Sequence, residues 1–272
     1  MSTLSTLHHD TATLEVAGWM PNGELRGDLE IVLLHEGLGC VAMWKQFPQQ
    51  LADRIGVRVV AYSRAGYGGS SSVELPRPLD YMQREADEVL PSLLAKLSPR
   101  PRVIVGHSDG ATIALAYAGS HRDELLAGVV AIAPHVITED VTIASIERAK
   151  YDFLQGDLAQ RLARYHGANL STAFWGWNDV WLDPDFRTFS ILDRLDNIDI
   201  PLLVIQGTED NYGSMTQLEL IQSRVPSAVI APIDGANHSP HLSHPNYVMS
   251  RLENFFEREI CVPSPTSERN EQ

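Results

Sequence analysis

Residues 102–121 read "RVIVGHSDGATIALAYAGSH". An apolar run meets Gly106-His107-Ser108-Asp109-Gly110, and a stretch of small, helix-compatible residues follows at once. A chain that passes from strand to helix without a loop must turn sharply at the serine. Such a turn strains the serine's dihedrals and crowds its neighbours, and glycines two residues to either side relieve the crowding. The start of a helix also leaves free N–H groups beside the hydroxyl. Two readings are open at this point: a nucleophile presented on a tight turn, or a serine that caps an ordinary helix.

Outward from this stretch, short apolar runs recur: "EIVLLH" (30–35), "VRVVAYS" (57–63), "LLAGVVAIAP" (125–134), "PLLVIQG" (201–207) and "AVIAPIDG" (228–235). Between them lie amphipathic segments. Trp44, Phe47 and Leu51 fall at helical spacing ahead of Gly56, a plausible C-cap. Tyr81, Ala86, Val89, Leu93 and Leu97 mark a second helix, which Pro91 is expected to kink or break. A last helix is predicted over 246–259. Strands alternating with helices predict an α/β fold with a mostly parallel sheet.

The rhythm fails over 135–200, where "TIASIERAKYDFLQGDLAQRLARYHG" reads as helices and "AFWGWNDVWLDPDF" is aromatic and turn-rich. A structureless loop of this length does not suit a compact domain. The expectation is a core of 1–134 and 201–261, a helical lid of 135–200 inserted after the fourth predicted core strand, and a flexible tail of 262–272.

Charge narrows the partners. The 272 residues include 21 Lys and Arg against 35 Asp and Glu, a formal net charge of −14 with no basic cluster. This excludes nucleic acid and an anionic membrane surface as expected partners. Cys40 and Cys261 match no metal or redox spacing and read as reduced thiols. The first residues lack a signal-peptide pattern and no run reaches transmembrane length, so a cytoplasmic location is expected. Oligomeric state is not readable.

A serine hydroxyl needs a base and an orienting carboxylate to act as a nucleophile. "VIQGTED" ends the fifth predicted strand and offers Glu209 and Asp210; "IDGANHSPHLSH" follows the sixth and offers His238, His241 and His244. The three histidines also invite a metal reading. Their spacing, with Pro240 between them and no companion Cys or Glu set, argues against it, and no metal is expected.

Taken in order, these motifs and "LLHEGLGCVAMW" (33–44) resemble the α/β-hydrolase-fold superfamily over about residues 28–260, in its small, lidded form. That resemblance implies the chain order Ser, acid, His. It favours Asp210, three residues after the strand-ending Gly207, with His238 as the base 28 residues further on. Family members usually carry His-Gly-x-Pro-Gly in the upstream loop. Matched by position, His35 is the His, Glu36 replaces Gly, Gly37 supplies an oxyanion N–H and Leu38 replaces Pro. The second donor is the N–H of Asp109, whose side chain is expected to face outward.

Glu36 then has two open roles, as an anchor for Arg64 in the neighbouring loop or as a pocket residue that selects substrates. His135, Trp175, Trp177 and Tyr212 join it as pocket candidates, and Trp175, Trp177 and Trp181 have a second reading as the lid's own core. The implied activity is hydrolysis of a carboxylic ester, lactone or thioester through an acyl-enzyme. It would act on a small apolar carbonyl substrate without a metal or organic cofactor. Carbon–carbon hydrolysis of a ring-fission diketone and acyl transfer are neighbouring possibilities. A ligand receptor without turnover is the alternative of another class.

Overall fold

The computed structural model describes residues 3–9 and 12–262. Eight strands form one sheet: β1 (Thr3–His9), β2 (Ala12–Trp19), β3 (Glu30–Leu34), β4 (Arg58–Tyr62), β5 (Arg102–His107), β6 (Leu126–Ile132), β7 (Leu202–Gly207) and β8 (Val229–Ile233). Their order is β1-β2-β4-β3-β5-β6-β7-β8. The pairs β1–β2 and β2–β4 are antiparallel, and the pairs from β4 through β8 are parallel. The six predicted strands are all present. The sequence reading missed the antiparallel pair β1 and β2 at the edge.

Both faces of the parallel region are covered, which is why its strands are continuous apolar runs. Val32, Leu34, Ile104, Val129 and Ala131 face one core; Ile31, Leu33, Val103, Val105 and Val130 face the other. The second core is closed by α1 (Phe47–Ile55) and, at the far end of the chain, by α11 (Pro245–Arg258). Gly56 ends α1 at φ 78°, a left-handed cap that glycine takes without penalty.

On the opposite face lies a helix in three parts: α2 (Tyr81–Arg84), a π turn at Glu85–Val89, and α3 (Leu90–Lys96). The π turn is the expected irregularity at Pro91. Proline lacks an N–H and its ring would collide with the carbonyl four residues back, and the wider turn relieves both problems. Beside it, α4 (Asp109–Ser120) is buried along almost its whole length by small residues that pack against the sheet.

Between β6 and β7 the chain forms α5 (Asp140–Gln155), α6 (Leu158–His166), α7 (Leu170–Trp181) and α8 (Leu192–Leu195). After β7 come α9 (Thr216–Arg224) and, ahead of α11, the short α10 (Pro240–Ser243). Val262 is buried and its N–H donates to the Phe256 carbonyl at 3.0 Å, so the core runs one residue beyond the expected boundary. The rest of the expected tail, 263–272, lies outside the described residues. Among the described residues no helix is long and apolar enough to cross a membrane.

The chain leaves β3 to one side to make β4, then returns to the other side of β3 to make β5. At such a switch point the loops after the two strands part and leave a crevice. Here those loops carry His35–Gly37 and Ser108, with Leu34 and Gly106 paired directly below them.

Candidate active site

Ser108 adopts φ 53° and ψ −119°, a conformation that L-residues rarely hold and that costs about 1–3 kcal/mol. The surroundings enforce it. The Ser108 N–H donates to the Ile132 carbonyl at 2.9 Å, and its own carbonyl accepts from Ala111 and Thr112 as α4 begins. A Cβ on Gly106 would sit 2.2 Å from the Gly110 carbonyl oxygen, and one on Gly110 would sit 2.0 Å from the Leu34 carbonyl oxygen. Neither position has room for any side chain, which is the physical content of the G-x-S-x-G spacing.

Ser108 Oγ lies 2.9 Å from His238 Nε2. His238 Nδ1 lies 2.9 and 2.8 Å from the two oxygens of Asp210. The Asp210 carboxyl is fully buried and also accepts the N–H groups of Tyr212 (2.8 Å) and Gly213 (3.2 Å). Burial alone would push its pKa up. The His238 contact and the Tyr212 N–H outweigh that, and the group is held below the usual carboxylate range. An ionised Asp210 can only accept, so Nδ1 of His238 carries a hydrogen and Nε2 is free to receive the Ser108 proton. Glu209, the rival acid, has its N–H bonded to the Ala236 carbonyl at 3.0 Å. His241 is buried against Trp44 and Phe47. His244 bonds Ser243 on the surface. The three histidines thus diverge, and among the described residues no group of three or more His, Cys, Asp or Glu is placed to hold a metal.

The loop after β3 is fixed by Arg64, which is buried with its charge. Its guanidinium donates to the carbonyls of His35 (2.6 Å) and Glu36 (2.9 Å), while its N–H donates to Nε2 of His35 (3.0 Å). The remaining His35 nitrogen, Nδ1, donates to the Glu36 carbonyl at 2.7 Å. Burial, followed by the neighbouring Arg64 charge, keeps His35 neutral. Gly37, next in the loop, lies under Trp177: a Cβ there would fall 2.2 Å from the indole nitrogen. Asp109 opens α4, so its N–H is one of the donors a helix start leaves unpaired.

Three expectations are corrected. Asp109 does not face outward. Its carboxyl is buried, bonded to the Tyr81 hydroxyl and 4.0 Å from Arg64, and Trp181 Nε1 donates to that same hydroxyl at 3.2 Å. Burial raises its pKa despite these partners. Glu36 does not anchor Arg64 through its carboxylate. The guanidinium holds its main-chain carbonyl, and the carboxylate turns to His107 Nδ1 at 3.5 Å. That carboxylate lines a cleft of 310 Å³ between α6 and the loop that follows His238. Trp175 is not at the site: it packs on Phe153 and Phe174 with Lys150 over its ring. Trp175 and Trp177 are two residues apart on α7, hence on opposite faces.

The other pocket candidates converge. The Tyr212 ring lies 4.8 Å from His238, and the His135 ring lies 5.6 Å from His238 and 5.1 Å from Trp181. Burial pushes the His135 pKa down to about 3, so it stands beside the site as a neutral ring. Sequence reasoning missed His107 and His166. The nitrogens of His166 receive the Gly68 N–H (3.1 Å) and donate to the Leu38 carbonyl (2.9 Å), joining α6 to the loop after β3. The signal for His107 was present, since it is the variable residue inside the G-x-S-x-G motif.

A nucleophile-like serine at a strand–helix elbow, a histidine–carboxylate pair and N–H donors at a β3/β5 crevice define a hydrolase-type centre on an α/β sheet. The chain belongs to the Alpha/beta hydrolase family, whose sequence profile matches residues 31–251. It is 24% identical to the pimeloyl-[acyl-carrier protein] methyl ester esterase of Aeromonas hydrophila, over 83% of this chain and 94% of that one. It is also 24% identical to a biotin biosynthesis bifunctional protein of Teredinibacter turnerae, over 84% of this chain and 45% of that longer one. The enol-lactonase of Burkholderia xenovorans superposes with a TM-score of 0.72 at 18% identity, covering 93% of this chain and all of that one. At that identity the likeness is one of fold.

Proposed function

We propose that the chain is a serine hydrolase that cleaves a carboxylic ester, a lactone or a thioester through an acyl-enzyme. One observation carries the reading. Ser108 Oγ, His238 and Asp210 form a continuous hydrogen-bonded line at 2.9 and 2.8 Å, on a backbone whose strain keeps Oγ in place. The esterase name of the Aeromonas relative supports the ester class.

In the first half-reaction Ser108 Oγ attacks the carbonyl carbon as its proton passes to His238 Nε2. The negative charge on the carbonyl oxygen is held by the N–H groups of Gly37 and Asp109. Asp210 stabilises the imidazolium and fixes its tautomer. The proton then goes from Nε2 to the departing alkoxide or thiolate as the carbon–oxygen or carbon–sulfur bond breaks. In the second half, water loses a proton to Nε2 as it attacks the acyl group, and the acid leaves with Ser108 restored. The helices over 135–200 act as a lid, with Trp177 against Gly37 making the mouth apolar. Trp177, His135, Tyr212 and Glu36 are the residues assigned to the pocket.

The test is a panel of p-nitrophenyl esters of increasing acyl length, a lactone and a ring-fission diketone, with Ser108→Ala and Asp210→Asn alongside. Ester turnover is expected in the wild type and a fall of at least about a thousandfold in both variants. Turnover of the diketone alone would favour carbon–carbon hydrolysis. Wild-type activity retained in Ser108→Ala would refute the acyl-enzyme.

A further inference from the structure

We propose that Glu36 and His107 are positioning residues for His238, an inference that rests on the serine-hydrolase reading. His107 sits on the elbow directly before Ser108, its ring buried, with Nε2 2.8 Å from the main-chain carbonyl of His238. A carbonyl only accepts, so Nε2 of His107 carries the hydrogen. That bond holds the peptide of the residue whose ring must reach Ser108 Oγ and Asp210 at once.

The other nitrogen of His107, Nδ1, is buried without a hydrogen bond and faces Glu36 Oε2 at 3.5 Å. The Glu36 carboxylate thus closes the far side of the ring and holds His107 in the orientation that donates to His238.

The groups around His107 fit this assignment. His241 on α10, its ring 4.6 Å away, is driven to the neutral form by burial, and Lys45 and Arg161 line the same cleft. The ring of His238 lies 5.2 Å away. Glu36 is thus the anionic partner. Burial would raise its pKa, and the contacts with His107 and His35 outweigh that and keep it ionised.

The space for the carboxylate is built in, because a Cβ on Gly39 would fall 2.4 Å from Glu36 Oε2. The main chain of Glu36 is held by Arg64, His35 and the Gly39 N–H. The Glu36–His107 pair consequently ties together the residue before Gly37, the residue before Ser108, and His238 itself.

The test measures the rate at which a fluorophosphonate labels Ser108. Oγ attacks phosphorus, fluoride leaves and the proton passes to His238. His107→Ala and Glu36→Gln are expected to slow labelling about ten- to a hundredfold, as a sub-ångström displacement of the base would. On a p-nitrophenyl ester they lower kcat more than they raise KM. His107→Gln, whose amide N–H still reaches the carbonyl, recovers most of the rate. Wild-type labelling rates and kcat in His107→Ala and Glu36→Gln would overturn the inference. So would an equal loss in His107→Ala and His107→Gln with a lowered melting temperature. Wild-type protein that neither labels nor turns over ester would instead overturn the hydrolase reading beneath it.

Discussion

At Gly106 and Gly110 the fold leaves no choice of residue, because both virtual Cβ atoms fall on main-chain atoms that cannot move aside. Gly110→Ala and Gly106→Ala are each expected to cost about 2–4 kcal/mol. Gly23→Ala, where nothing lies within 4 Å, is expected to stay within about 0.5 kcal/mol of the wild type. Urea unfolding midpoints distinguish the two outcomes, and a similar shift at all three positions would contradict the steric account. Of the proposed site, Ser108 was singled out by its motif, while Asp210 and His238 were picked from among Glu209, His241 and His244 through the resemblance; the three lie in hydrogen-bond reach of one another. The side chain of Asp109 was not legible, because its burial depends on Arg64 and Tyr81, which come from two other elements. The opposed directions of Trp175 and Trp177 were legible in principle from helical periodicity alone.

At the scale of elements, the insertion between β6 and β7 is fastened to the core by polar contacts at several places, from Glu139 with Ser214 and Gln217 to Arg194 with Asp87. The Asn169 amide donates to the carbonyls of Gly68 (3.1 Å) and Ser70 (2.7 Å), next to the His166 bridge. Asn169→Ala leaves both buried carbonyls without that donor, a loss of about 1–2 kcal/mol that corresponds to roughly tenfold more local opening. Limited proteolysis within 135–200 is expected to speed up about tenfold while cleavage elsewhere is unchanged. An unchanged rate would contradict a holding role for the Asn169 amide. The parallel strands were legible because burial on two faces writes continuous apolar runs. The edge pair β1 and β2 was not, since Leu4, Ser5 and Thr6 are exposed and Leu14 and Val16 are the large residues that reach the core. Pro91 announced an irregular helix; that the chain would answer with a π turn depends on how the helix packs against α4.

For the whole molecule, four of the five buried histidines among the described residues set the response to acid. His35, His135, His166 and His241 are all held below their usual pKa, in each case by burial first. Between those folded values and about 6.5 the unfolded chain binds protons that the native state does not, so stability falls as pH falls. Each imidazole contributes a slope of about 1.4 kcal/mol per pH unit within that window. Asp109 and Glu30, with raised pKa values, act in the opposite sense, two groups against four. Asp210, held low, adds to the loss only below the usual carboxylate range. Calorimetric melting from pH 7.5 to 5 is expected to show a steady fall in Tm, reduced in His135→Phe. A flat profile would contradict the neutral buried histidines.

The central claim is that Ser108 carries the acyl group. Mixing the protein with a p-nitrophenyl ester, quenching in acid within the first turnover and mapping the modified peptide by mass spectrometry tests it directly. The account predicts a stoichiometric burst of p-nitrophenol and a single acyl adduct on Ser108, both absent in Ser108→Ala. An adduct on another residue, or full turnover in Ser108→Ala with no adduct, would contradict it.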